Sequence, residues 1–143
     1  MNDALESFLY GTQFRRLLEK KLGPIEQQYG LQKIDMRILL FLYKSDDHNT
    51  STDIMQLNMF TRGHISQSLT RLQKKGYIQM IQDQEDRRCT HNYLSEKAGE
   101  IIKELKKTFQ NIKDIIFENV TEEEQKVLIS VVKKVSQNVK NAL

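Results

Sequence analysis

Cysteine occurs once, at Cys89, proline once, at Pro24, and glycine six times in 143 residues. A single cysteine excludes an internal disulfide framework and a cysteine-rich zinc module, and it suits a reducing cytoplasm. A chain so poor in turn formers is not a sandwich of many short strands, so it is predicted to be mostly helix. The longest apolar run, Ile38–Tyr43, is six residues between Arg37 and Lys44, far short of the ~20 that a membrane span requires. The start carries Asp3 and Glu6 where a secretion signal would be basic and then apolar. Glycine-rich phosphate loops and nucleophile elbows are missing, which argues against an enzyme. His48, His64 and His91 fall in unrelated predicted elements, and no pair has ligand spacing, so neither metal nor cofactor is expected.

What the chain does contain is ordinary globular material. Hydrophobic residues make up 38% and charged residues 29%, which argues against disorder. The length predicts one domain with enough core to fold without staples. The net charge of +3 is unevenly placed. Residues 61–95 carry six Lys/Arg against three Asp/Glu, whereas the flanking segments are close to balanced. From Ile54 to Gln82 there is no acid, while Arg62, Arg71, Lys74 and Lys75 are present. Such a stripe is the electrostatic footprint of a polyanion site. It also reads as a solvated helix face.

Apolar spacing places the elements. Residues 4–29 read as one long helix, kinked or split at Gly23-Pro24 and ended by Gly30. Residues 33–45 form a second helix with Ile34, Ile38, Phe41 and Leu42 on its buried face. After the polar break 46–49, Thr50 caps a short third helix, with Asp53 completing a capping box. Thr61 caps a fourth helix to about Lys75, with Ile65, Leu69 and Leu72 inward, and Gly76 stops it. Tyr77–Ile81 and Cys89–Leu94 suit two strands around the charged turn Asp83–Arg88. Ser95 caps a fifth helix to about Glu118, whose apolar positions Ala98, Ile102, Leu105, Phe109, Ile112 and Ile116 make a heptad seam. Thr121 and Glu124 open a last helix with the seam Leu128, Val132, Val135, Val139 and Ala142. The terminal helices either pack within one monomer or interlock with a second chain; the second arrangement is expected, because the middle of the chain already makes a unit of its own.

The middle of the chain has the order of a winged helix-turn-helix. With one edge of the fourth helix buried, Gly63, Gln67, Thr70 and Lys74 point outward, flanked by His64, Ser66 and Arg71. Groove readers cluster in the N-terminal half of such a helix. The candidate DNA contacts are therefore Thr61, Arg62, Gly63, His64, Ser66, Gln67 and Arg71. Gln67 can pair with adenine, and Arg62 with guanine or phosphate. Gly63 costs about 1 kcal/mol relative to alanine inside a helix; it either lets the backbone approach DNA or relaxes a crowded helix start. At the hairpin tip Asp86, Arg87 and Arg88 complete the set. An arginine there suits a narrow minor groove, and a neighbouring carboxylate can hold its fork. The alternative for the tip is a solvated turn with surface ion pairs.

The stretch Thr61–Ala98 resembles the multiple antibiotic resistance regulator (MarR) family of bacterial transcription factors. The resemblance rests on Leu72-Gln-Lys-Lys-Gly-Tyr-Ile78, Asp83-Gln-Glu-Asp-Arg-Arg88 and Leu94-Ser-Glu-Lys97. That family's wing reads Asp-x-Arg, five residues, Leu-Thr; this chain reads Asp86-Arg87-Arg88, five residues, Leu94-Ser95. The resemblance implies a mainly α homodimer with a small β-hairpin. Residues 1–30 and 96–143 would form a helical dimerisation platform and residues 31–95 the winged DNA-binding lobe. It implies a pseudo-palindromic operator, residues 61–71 as the recognition helix, and Arg88 as a wing arginine braced by Asp86. It implies a repressor, working in the bacterial cytoplasm at the nucleoid and released by a small aromatic or lipophilic effector. Departures are Ser95 for threonine, Ala98 where glycine is common, and polar Thr90 and Asn92 at usually apolar strand positions, which predict a loosely packed wing.

Tyr10, Phe14, Met36 and Leu40 are candidates to line an effector pocket, although core is the first reading of each. Two alternatives to the DNA-binding reading stand beside it. One is a redox-responsive regulator acting through Cys89, which follows two arginines in the electropositive setting that reactive thiols use. The other is a winged-helix adaptor for proteins, which has no need of Arg88 or an acid-free helix.

Overall fold

In the computed structural model, which describes all of residues 1–143, the N-terminal helical stretch divides at Gly11 and not at Gly23-Pro24. Asn2 caps α1 (Asp3–Tyr10), its side-chain oxygen accepting from the amides of Ala4 and Leu5. Gly11 then takes φ 66°, a left-handed geometry that costs a residue with a Cβ roughly 1–2 kcal/mol. From there α2 (Thr12–Tyr29) continues through Pro24 without a break. A residue before proline is normally barred from helical backbone by its own Cβ, and Gly23 has none. The glycine and proline read as a breaker are thus a compatible pair.

The helix α3 (Lys33–Lys44) is the centre of the fold. The sequence predicted one buried face; instead Asp35, Met36, Ile38, Leu39, Leu40 and Leu42 are all buried, and Ile34 and Phe41 half-buried. The reason is that α3 packs against both α5 (Arg62–Lys74) and the second wing strand, so little of its circumference meets water. Thr50 caps α4 (Ser51–Met55) in the expected box with Asp53. Asn58, at φ 54°, makes the turn towards α5, a geometry that asparagine tolerates.

The wing is an antiparallel pair, β1 (Ile78–Gln82) and β2 (Thr90–Leu94), in register from Ile78 opposite Leu94 to Gln82 opposite Thr90. After it comes α6 (Ala98–Ile116), then α7 (Glu122–Ala142). Seven helices replace the six expected, because the first divides.

Two compact units result, residues 1–109 and 110–143. In the first, Leu22 and Ile25 of α2 join Ile38, Ile54, Leu69 and Leu105 in one apolar core. Through Leu18, Leu22 and Ile25, α2, expected to belong to the helical dimerisation platform, shares this core with the winged lobe. By contrast α1 buries nothing: Leu5, Phe8, Leu9 and Tyr10 are exposed. In the second unit Thr121 and Glu124 cap α7 reciprocally, at 3.0 and 3.1 Å. Its predicted seam of Leu128, Val132, Val135 and Val139 is also exposed.

Candidate nucleic-acid interface

The α5 helix turns one clean edge inward. Ile65, Leu69 and Leu72 are buried as the spacing predicts, together with Ser68. Thr61 caps it, its hydroxyl accepting from the His64 amide at 3.3 Å. Thr61, Arg62, Gly63, His64, Ser66, Gln67, Thr70 and Lys74 are exposed, and the helix carries no acid. A Cβ added at Gly63 would meet nothing within 4 Å. Relief of crowding therefore does not explain this glycine; the space beyond it is open.

Arg71 departs from the expected set. Its guanidinium turns back onto α3 and grips Asp35, Nη2 to Oδ1 at 2.9 Å and Nε to Oδ2 at 3.3 Å. Asp35 is fully buried and also accepts from the Ser68 hydroxyl and, at 2.8 Å, from the Gln32 amide that opens α3. Arg71 is thus a tie between two helices, its charge already matched. Residues three and four apart share a helix face, so Ser68 and Arg71 meet one carboxylate. The i, i+3 pair was readable in the sequence; its partner 33 residues earlier was not.

The C-terminal end of α5 is closed by the segment that follows the wing. Ser95, expected to cap α6, instead donates its hydroxyl to the Gly76 carbonyl at 2.6 Å. Lys97 donates to the Lys75 carbonyl at 2.7 Å and lies over the Tyr77 ring. Cations and donors belong at a helix C-terminus. The Leu94–Lys97 motif therefore holds the far end of the candidate recognition helix.

The wing is stitched to the approach to α4. The buried Asn49 carbonyl accepts from the Asn92 amide at 3.1 Å and its Nδ2 at 2.8 Å. The polar Asn92, expected to loosen the wing, is buried and anchors it. At the tip, Asp83 Oδ1 accepts from the amides of Glu85 and Asp86 and shapes the turn. Asp86 Oδ1 takes the Arg88 amide at 3.1 Å and its Nε at 3.3 Å. Arg87 and Arg88 are exposed, and Asp86 and Arg88 share a groove with Thr50, Ser51 and Thr52 of the α4 start.

The four candidate effector residues do not come together. Met36 and Leu40 are core, while Tyr10 and Phe14 are exposed. The groove lined by Tyr43, Leu94, Ile102 and Lys106 was not foreseen, because its walls come from distant parts of the chain. Cys89 and His91 of the second strand meet Asp83 at the turn end of the wing.

A short helix, a tight turn, a longer helix capped at both ends and a two-stranded wing define a winged helix-turn-helix protein. The model of the transcriptional regulator SarA/Rot family matches residues 20–105. The chain belongs to that family of transcriptional regulators. YdgJ, an uncharacterized HTH-type transcriptional regulator of Bacillus subtilis (strain 168), is 26% identical over 112 residues, covering 78% of this chain and 68% of that relative. The MarR protein from Peptoclostridium difficile shares the fold with a TM-score of 0.80 at 18% identity, over 99% of this chain and 91% of its own. MepR of S. aureus, solved as a complex with DNA, has a TM-score of 0.76 at 20% identity, over 92% and 96%. The fold that the MarR resemblance implies is borne out. The family and fold are those of regulators, not enzymes, and no helix is long and apolar enough to cross a membrane.

Proposed function

We propose that this regulator binds a pseudo-palindromic duplex operator as a homodimer, with α5 in the major groove and Arg88 in the minor groove. The observation that carries the reading is the pairing of an exposed, acid-free α5 edge with an arginine-tipped wing anchored beside α4. Base contacts fall to Arg62, His64, Ser66 and Gln67, and phosphate contacts to Thr61, Lys74 and Arg87. Asp86 orients Arg88. Arg71 supports α5 from behind.

The exposed apolar faces of α1 and α7 supply the dimerisation platform. Contiguous apolar surface of this kind is rare on a monomer. Repression by occupancy of the operator is the mode of action, and a small aromatic or lipophilic anion releases it. The groove of Tyr43, Leu94 and Ile102, edged by Lys103 and Lys106 with one carboxylate, Glu96, has an apolar floor and a rim of net positive charge suited to such an anion.

Selection of bound sites from random duplex DNA tests the reading. A two-fold-symmetric consensus is expected, and sedimentation should give two chains per selected duplex. Enrichment of no sequence would refute it in favour of a protein-docking adaptor, and one chain per duplex would refute the dimeric mode.

Gly63 provides an internal check with opposite signs. Gly63→Ala should raise stability by about 0.5–1 kcal/mol, since alanine is the better helix former and the space is open. The same methyl group should reduce operator affinity severalfold if the DNA backbone lies against Gly63. Urea unfolding and a binding titration read the two effects separately. Unchanged affinity in the stabilised variant would remove the close approach.

A further inference from the structure

We infer that Asp83, Cys89 and His91, at the turn end of the wing, form a site for a divalent transition-metal ion of the zinc type. The hairpin register brings the donors together. Ile81 pairs with His91 and Gln82 with Thr90, and the Asp83 amide extends the ladder to the Cys89 carbonyl at 2.8 Å. Side chains alternate along a strand, so positions 83, 89 and 91 share one face. A carboxylate oxygen, a sulfur and an imidazole nitrogen thereby lie within 4.8 Å of one another. Ligands around tetrahedral zinc stand roughly 3–4 Å apart, so small side-chain rotations close the site.

His91 is already held as a ligand would be. Its Nδ1 lies 2.6 Å from Oδ1 of buried Asn49, whose backbone carbonyl accepts two bonds from Asn92. A protein oxygen on the outer nitrogen is the usual second support of a metal-bound histidine. With the proton on Nδ1, Nε2 presents a lone pair to Asp83 Oδ2 at 2.9 Å. A metal ion there would take that lone pair and engage the Cys89 sulfur as well.

The donor set selects the metal class. Magnesium and calcium take oxygen ligands, whereas sulfur, nitrogen and oxygen together suit zinc. All three residues are half-buried, so the site is sheltered yet open to entry. Three protein ligands leave a fourth position for water. Binding converts the Cys89 thiol to a thiolate and releases its proton. Asp83 would then use both oxygens, one on the metal and one on the turn amides of Glu85 and Asp86, stiffening the loop that carries Arg87 and Arg88.

The test needs no DNA, so it stands or falls apart from the operator reading. Untagged, reduced, chelator-stripped full-length protein is titrated with Co²⁺, and Zn²⁺ is then added in competition. One ion per chain is expected, with a thiolate-to-cobalt charge-transfer band that Zn²⁺ abolishes. Cys89→Ser should remove the band, and His91→Gln should weaken Zn²⁺ binding at least tenfold. If His91→Gln lowers the helical circular dichroism, Asp83→Asn serves with the same readouts. Absence of the band in the wild-type protein overturns the site. So does a Zn²⁺ affinity that the histidine or aspartate variant leaves unchanged.

Discussion

Asp35→Ala is expected to lower the unfolding free energy by about 3–5 kcal/mol, the usual cost of breaking a buried charge pair from one side. Asp35 is fully buried and is the common acceptor for the Gln32 amide, the Ser68 hydroxyl and two nitrogens of Arg71. Alanine leaves the buried Ser68 hydroxyl without its acceptor, which alone costs about 1–3 kcal/mol. It also removes the box that opens α3, worth ~1 kcal/mol. The Arg71 side chain is 30% exposed, so its head can recover some water, which holds the effect towards the lower end. Arg71→Ala should cost at least as much, because the stranded carboxylate has no exposure at all. Urea unfolding of both single variants and the double variant measures the coupling. Two single losses below about 0.5 kcal/mol would show that the pair contributes nothing.

This pair marks where sequence reasoning stopped. Local signals were legible: the caps at Thr50, Thr61 and Thr121, the stop at Gly76, the inward edge Ile65–Leu69–Leu72 and the strands of the wing all depend on residues close in the chain. Gly23-Pro24 does not split the helix, because the rule for proline makes an exception for a preceding glycine. Ser95 was misread because a serine before a helix looks like a cap whichever partner it finds. The near-complete burial of α3 follows from what surrounds it, and no periodicity within twelve residues encodes that. Asp35 with Arg71, Asn49 with Asn92, and Asp83 with His91 are all long-range or cross-strand meetings. Each couples polar side chains that read singly as surface. The candidate interface was correspondingly half legible. Its exposed residues follow from helix phase, but Arg71 lies on the boundary of that phase, and only the position of α3 decides which way it turns.

Arg88→Ala is expected to lower operator affinity about 10- to 100-fold, the range for an arginine that reads a groove. Stability should scarcely move. The Arg88 and Asp86 side chains are 94% and 55% exposed, and exposed pairs contribute ~0–1 kcal/mol. The loss therefore belongs to binding, and an unchanged melting temperature separates it from the Asp35 effect. Arg88→Lys should restore only part, because lysine keeps the charge but loses the planar fork that Asp86 holds. Salt dependence sharpens the test. With Arg71 neutralised by buried Asp35 and Lys75 folded back towards Gly30, the cations exposed on the reading face are Arg62, Lys74, Arg87 and Arg88, the last in a solvent-exposed pair with Asp86. Two chains then neutralise about eight phosphates, for a slope of roughly −7 in log affinity against log salt. Arg71→Gln should leave that slope unchanged at temperatures where the variant is folded, whereas Arg87→Ala should make it shallower by about one unit per chain. A slope that falls with Arg71 and ignores Arg87 and Arg88 would mean that the wing stands away from the duplex and that the buried pair opens on binding.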